Sequence, residues 1–404
     1  MQSRLKAATG ALALAGCVAL AMTGASVSSA ASPLGAAKKA TGKPIVFGMI
    51  NLEAGPVTFP EIRQAAQAGI SYVNNYRGGL HGRPIKLLTC TTDGQPATSA
   101  RCANQLADKG VVAMLGAADT GASGSYPVYN RKKLSVIGGL PFTPVESNAK
   151  NGAIFLSVSV GDNAAVTAYA AKKLGAKSMA ILQASDNQGK YSGSIIANVA
   201  KNLGLKTTQI DVTSGAPDQS APAAAAAGYD IAFVETPGSC PPVIKALRST
   251  GFKGKIIGLD NCASPPAIAA TGSVINGFWF AQPYYDIDAN KPDARLGAAI
   301  LAKYAPKNIA LDTLALAGLS EVMNLQQVST TIPASKLTSA GILAAIKDGK
   351  VHPNFMGHPY QCTGKMVPAQ SASCDKWELI KAVQGGKVVT LNAPWTVGAN
   401  YYKP

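Results

Sequence analysis

The residues able to do chemistry are few, and they are poorly arranged for catalysis. The 404-residue chain has three histidines, His81, His352 and His358. His81 falls within a glycine-rich turn, the setting of a surface residue rather than a general base. Gly121-Ala122-Ser123-Gly124-Ser125 lacks the closing glycine of a nucleophile elbow and does not follow a strand sharply. There is no GxxxxGK[ST] phosphate loop, no HExxH and no GxGxxG. The sequence therefore offers no catalytic set, and no cofactor is expected. Apart from Cys17 near the N-terminus, the cysteines are Cys90, Cys102, Cys240, Cys262, Cys362 and Cys374. An even number in an oxidising compartment reads as disulfides, and without a CxxC pair a zinc site is weakly supported. Counting leaves the connectivity open. Pairing of sequence neighbours, Cys90–Cys102, Cys240–Cys262 and Cys362–Cys374, is the simplest arrangement, and each short loop so closed is worth roughly 3 kcal/mol.

The N-terminus supplies the compartment. Arg4 and Lys6 precede an apolar run from Ala11 to Met22, and Ser28-Ser29-Ala30 is a small-residue cleavage site. Residues 1–30 thus read as a signal peptide, since the run falls short of the about 20 residues that span a bilayer. Leu14-Ala15-Gly16-Cys17 also fits a bacterial lipobox, with Cys17 lipidated, so two processing routes stay open. The net charge of +16 comes from 37 basic and 21 acidic residues. The signal peptide takes two basic and no acidic groups with it, leaving about +14. Lysines and arginines are scattered singly or as pairs such as Lys132-Lys133, without a basic run interleaved with aromatics. This reads as a solvated basic surface and not a nucleic-acid site.

The elements that must position any site alternate regularly. After an Ala/Gly/Lys/Pro-rich linker at 31–43, strand-like runs alternate with helical patterns: Ile45–Ile50, Pro60–Tyr76, Ile85–Leu88, Ala97–Lys109, Val111–Leu115, Ser123–Lys132, Leu134–Ile137. The pattern restarts at Ile154–Leu156 and continues through strands near Met179, Lys206, Ile231, Lys255 and Gly277. Repeated βα alternation predicts parallel sheets flanked by helices, and two consecutive units predict two lobes. Long helical stretches follow at Asp293–Ala305, Leu311–Gln326 and Leu337–Lys347, expected to pack back on the first lobe. Strand-like pieces at Trp377–Ile380 and Lys387–Val389, joined by Gln384-Gly385-Gly386, close the chain.

The stretch Tyr72-Val73-Asn74-Asn75-Tyr76-Arg77-Gly78-Gly79-Leu80-His81-Gly82-Arg83-Pro84-Ile85 resembles a signature of the type 1 periplasmic binding proteins, the Leu/Ile/Val-binding family of ABC importers. Physically it is a helix end, a glycine turn with left-handed backbone, then a strand. Gly55-Pro56, Leu115-Gly116, Pro141-Phe142-Thr143-Pro144, Leu247–Phe252, Gly258-Leu259-Asp260 and Gly277-Phe278-Trp279 follow in the family's order, so that the resemblance spans about 44 to 390. It implies an α/β fold of two Rossmann-like lobes joined by a three-segment hinge and closing on a ligand. Lobe 1 is expected at 44–158 plus 285–355, and lobe 2 at 159–284 plus 356–404.

The resemblance also implies candidate site residues. Thr120 matches a hydroxyl position at a helix N-terminus, where free N–H groups hold an anion; an ordinary capping role is the alternative. Phe142 and Thr143 lie on the next strand-end loop, as ligand contacts or turn formers. Phe59 sits where the family places an aromatic wall, a core aromatic being the alternative. In lobe 2 the chain departs from the pattern. Gln188-Gly189 stands where a tyrosine often precedes the glycine. Ser239 stands where amino-acid binders place an acid for the ligand ammonium, with Glu235 nearby. Asp186, Glu235 or Asp260 could substitute for that acid, or serve as helix caps. Tyr284 and Tyr285 are expected on the hinge side. The implied function is capture of a small polar or amphipathic solute (amino acid, amide or carboxylate) and delivery to ABC permease subunits. A sensory module of the same fold is the alternative. The expected protein is an extracytoplasmic monomer with no enzymatic activity and no nucleic-acid partner, touching membrane only through a lipid on Cys17.

Overall fold

The computed structural model describes residues 32–55, 57–155 and 161–403; the signal peptide and Cys17 lie outside them. The apolar runs of the first half become strands and the stretches between them helices: β1 (Ile45–Leu52), α1 (Pro60–Tyr76), β2 (Ile85–Thr92), α2 (Pro96–Asp108), β3 (Ala113–Leu115), α3 (Ala122–Lys132), β4 (Val136–Ile137), α4 (Pro144–Ser147) and β5 (Gly152–Ala153). The strands form a five-stranded parallel sheet in the order β2-β1-β3-β4-β5. Helices α1, α2 and α4 begin on proline, whose missing N–H costs nothing in a first turn.

The second unit runs α5 (Asp162–Leu174), β6 (Ser178–Ala184), α6 (Asn187–Asn202), β7 (Lys206–Val212), α7 (Ser220–Ala225), β8 (Ile231–Glu235), α8 (Cys240–Ser249), β9 (Lys255–Gly258), α9 (Pro265–Thr271) and β10 (Trp279–Gln282). Strand β8 is buried along its whole length, as a parallel strand covered on both faces must be. Helices α10 (Pro292–Tyr304), α11 (Thr313–Ser329) and α12 (Ser339–Ile346) follow, then β11 (Trp377–Gln384) and β12 (Lys387–Val397). This last hairpin adds antiparallel strands to β10, so the seven-stranded second sheet, β12-β11-β10-β9-β8-β6-β7, is mixed.

Side chains of α10, α11 and α12 share one core with β1 and α1, while the second sheet has a separate core on each face. The late helices thus pack on the first lobe, as the sequence predicts. The approach of α1 to α11 depends on small residues. A Cβ on Gly69 would stand 3.3 Å from Val322, and one on Gly318 would run into the Ile62 backbone. The chain passes between the lobes three times, after β5, after β10 and after α12.

The signature turn has the expected backbone: φ is 74° at Gly78, 69° at Gly79, 50° at His81 and 81° at Gly82. The segment read as a linker is held down in part, since the Ala40 N–H donates to Asn74 O at 2.7 Å. Of the expected Ile154–Leu156 strand, Leu156 lies outside the described residues, and regular pairing ends before it, at Ala153. Ile154 is already leaving the sheet and bridges Ser373 of the third crossing. That crossing, 347–376, has no regular element. The Cys362–Cys374 disulfide and backbone bonds such as Cys374 N–H to Ile154 O at 2.8 Å order it. Cys90–Cys102 and Cys240–Cys262 complete the neighbour pairing.

Candidate functional site

In open α/β sheets ligands bind beyond the carboxyl ends of the strands, where the strand order reverses. The first sheet reverses between β1 and β3, the second between β6 and β8. At the first reversal Asn51 ties the two strand ends together: its Oδ1 accepts from Ala118 N–H at 3.2 Å and its Nδ2 donates to Phe59 O at 2.8 Å. At the second, β8 ends on Glu235 and β6 leads to Asp186, the α6 N-cap. The two edges meet. Thr313 at the start of α11 stands near the half-buried Asp260 carboxyl beyond β9, which burial pushes up and Thr313 and Lys381 pull back; the Thr313 hydroxyl itself is buried without a hydrogen-bond partner. Asp312, the α11 N-cap, is pushed up to about 7 by burial, with Glu61 and Asp260 adding to it.

On the first lobe, Phe59 and Phe142 come together, stacked at 5.9 Å between ring centroids. Thr120 is half-buried and stands just before the α3 N-cap, Gly121. The anion at that helix start is the chain's own. Asp119, 5 % exposed, accepts from Ser99 Oγ at 2.5 Å and Ser125 Oγ at 2.6 Å, and the Gly121 N–H also points to it. Thr143 is the N-cap of α4 in a capping box: Glu146 N–H donates to its hydroxyl at 3.4 Å, and the hydroxyl donates to Glu146 Oε2 at 2.9 Å. The Phe142 N–H donates to the same carboxylate oxygen at 2.9 Å. Burial, then Asp119, pushes the Glu146 carboxyl well up.

On the second lobe, Glu235 is 3 % exposed, and its Oε2 has no partner. Burial raises its pKa to about 8; Asp162 and Asp186 add to the rise, while Ser192 and Asn163 oppose it. Asp186 turns out a helix cap, accepting from Gly189 N–H at 2.8 Å, with Gln188 half-buried in the same first turn. Ser239 is buried, and its hydroxyl accepts from Gly215 N–H at 2.9 Å, so a structural bond occupies it. Tyr284 is buried in the second crossing among Ser320, Glu321, Asp375 and Glu378, its hydroxyl pushed up mainly by burial. Tyr285, half-buried, stacks edge-on with Trp395 at 5.2 Å.

Glu378 on β11 went unnoticed in the sequence. It is 1 % exposed, its Oε2 is unpartnered, and burial raises its pKa well above the usual range, with Asp162, Asp375 and Asp260 adding. Asp375, pushed up to about 8 mainly by burial, lies beside it. Among the described residues no group of three or more His, Cys, Asp or Glu is arranged to hold a metal, and no helix is long and apolar enough to cross a membrane. A surface concavity of about 800 Å³, lined by Lys177, Tyr229, Arg248 and Lys255 among others, lies at the opposite, amino-terminal edge of the second sheet. It is away from the strand ends that carry the site.

The profile of the family described as periplasmic binding protein matches residues 44–369. No curated protein matches the chain. Similar solved structures include a leucine-binding protein from Thermotoga maritima, 18 % identical with a TM-score of 0.72 over 88 % of this chain and 99 % of that one. A fatty acid ABC transporter substrate-binding protein from Thermomonospora curvata is 20 % identical, with a TM-score of 0.72 over 92 % and 97 %. An ABC transporter solute-binding protein from R. palustris, in complex with 4-hydroxybenzoate, is 16 % identical with a TM-score of 0.71 over 88 % and 98 %. With the family profile spanning most of its length and the two-lobed fold shared with these structures, the chain belongs to the periplasmic binding protein family.

Proposed function

We propose that the protein is the extracytoplasmic solute-binding component of an ABC importer. It takes a small polar or amphipathic solute (an amino acid, amide or carboxylate) between its lobes and presents it to permease subunits. The observation that supports this reading is the approach of the two lobes at their carboxyl-end loops, with Asp260 beyond β9 beside Thr313 at the start of α11. In this reading 44–158 plus 285–355 and 159–284 plus 356–404 move as two bodies about the three crossings, a hinge closure. Phe59 and Phe142 form an apolar wall, Thr120 and Gln188 offer polar contacts, and Glu235 and Asp260 set the charge. Thr143, Ser239 and Tyr284 hold the loops and hinge that carry them. The names of the similar structures support transport while spanning leucine, a fatty acid and 4-hydroxybenzoate. The protein works as a monomer, and lipidated Cys17, if retained, is its only hold on the membrane.

The test is a thermal-shift screen of the disulfide-intact protein over amino acids, amides, amines, carboxylates and aromatic acids, followed by small-angle scattering with each hit. A binding solute should raise the melting temperature and shrink the radius of gyration. A hit that is chemically converted, or hits that leave the scattering profile unchanged, would count against the reading.

A further inference from the structure

Several first-lobe donors that could grip a carboxylate solute are taken by the protein's own carboxyl groups, the Thr120 hydroxyl excepted. At the start of α3 the chain places its own anion, Asp119, on Ser99, Ser125 and the Gly121 N–H. The Ala122 and Gly124 N–H groups go to Asp119 O and Gly121 O, at 3.1 and 2.9 Å. On the next loop the Phe142 N–H and the Thr143 hydroxyl both donate to Glu146. Arg63 and Lys381, cations on the two sides, are each held by a carboxylate. Arg63 reaches Glu53 with two nitrogens at 2.7 and 2.8 Å, and Lys381 is bonded to Asp286.

The second lobe presents buried acceptors, with one donor, Asn163 Nδ2 beside Glu235, likewise unpartnered. Glu235 Oε2 and Glu378 Oε2 are buried without a partner, and Asp162 at the start of α5 lies within electrostatic reach of both. Buried carboxylates are costly unless paired with a cation or protonated. The groups facing Glu235 are Asp162 and Asn163 from α5 and Asp186 and Ser192 from α6, none of them cationic.

We propose that the solute is an organic cation without a carboxylate, an alkylammonium or amidinium whose charged nitrogen sits between Glu235, Asp162 and Glu378. This rests on the solute-binding reading above and narrows its substrate class. The basic surface of the protein does not oppose it, because exposed charges beyond about 8 Å are largely screened at physiological salt. Since Glu235 holds its proton up to about 8 in the empty protein, a bound cation replaces that proton, and binding releases it to solvent.

The experiment is calorimetry on the full mature chain with a matched four-carbon series: butylamine, 1,4-diaminobutane, butanamide, butanoate and 2-aminobutanoate. The amines should bind, with a heat that depends on the buffer's ionisation enthalpy and an affinity that rises from pH 6 to 8. Butanoate should not bind. Glu235→Gln should weaken amine binding about 30-fold, the loss expected on removing one partner of a buried charge pair. Glu378→Gln should act alike, with circular dichroism checking that each variant folds. Proton release from the unaltered protein tests the inference should a variant fail to fold. Binding of butanoate or butanamide with compaction in scattering, and none of the amines, would overturn the cation while leaving the solute-binding reading standing. Amine binding without proton release and indifferent to Glu235→Gln would overturn the site. An absence of binding and of compaction with every solute tested would overturn both.

Discussion

Glu235 should make the empty protein less stable as pH rises, and Glu235→Gln should remove part of that dependence. In the unfolded chain the carboxyl ionises near 4.5, while in the folded protein it keeps its proton to about 8. Between those values the unfolded chain binds fewer protons, so stability falls with pH and the loss is complete above about 8. The full interval sets a ceiling of roughly 5 kcal/mol. Part of the rise comes from the charges of Asp162 and Asp186 and not from burial, leaving about 2 to 3 kcal/mol for Glu235 itself. The measurement is guanidinium chloride unfolding of ligand-free, disulfide-intact protein at pH 5 and pH 9. The unaltered protein should lose more stability over that span than the glutamine variant, by about 2 to 3 kcal/mol. Parallel losses in the two proteins would refute the reasoning, because a neutral amide of the same shape cannot ionise.

Other expectations follow from the packing. Gly318→Ala places a methyl against the Ile62 backbone where α11 crosses α1, so unfolding should occur about 1 to 3 kcal/mol earlier while the second lobe keeps its protease resistance. Replacing Cys240 and Cys262 together by serine removes a closed loop of sequence separation 22 and should cost about 2 to 4 kcal/mol by the same denaturation assay. Thr120→Ala should weaken solute binding in calorimetry and leave the melting temperature nearly unchanged, since no structural hydrogen bond of its hydroxyl is seen.

The sheet-and-helix order was legible because the central parallel strands such as β1 and β8 are short apolar runs set between helical patterns, although the outer strand β7 is polar and largely exposed. The Tyr72–Ile85 signature was legible because its glycines have a backbone that side chains rarely adopt. Ile154 shows where that legibility stops: an apolar run at a crossing looks like a strand, but β5 ends at Ala153 and Ile154 forms only an isolated bridge. Helix α9 is not among the helices expected from the sequence; it opens on Pro265, a residue favoured in a first helical turn. Of the proposed site, Phe59, Phe142 and Glu235 are suggested by their places at or just after strand ends. Glu378, Asp162 and Asp119 could not, because nothing in their local sequence says that these acids are buried, and chain segments far apart bring them together. Glu146 was the exception: Thr143-Pro144-Val145-Glu146 has the spacing of a capping box.

The three disulfides have a consequence for how the protein is made. Their partners are 12, 22 and 12 residues apart, and none staples one sheet to the other. A chain threaded outward from its N-terminus therefore delivers both thiols of one bridge before the first thiol of the next. Oxidation in order of emergence yields the native set without reshuffling, and each finished bond braces only its own stretch of chain, none tying one sheet covalently to the other.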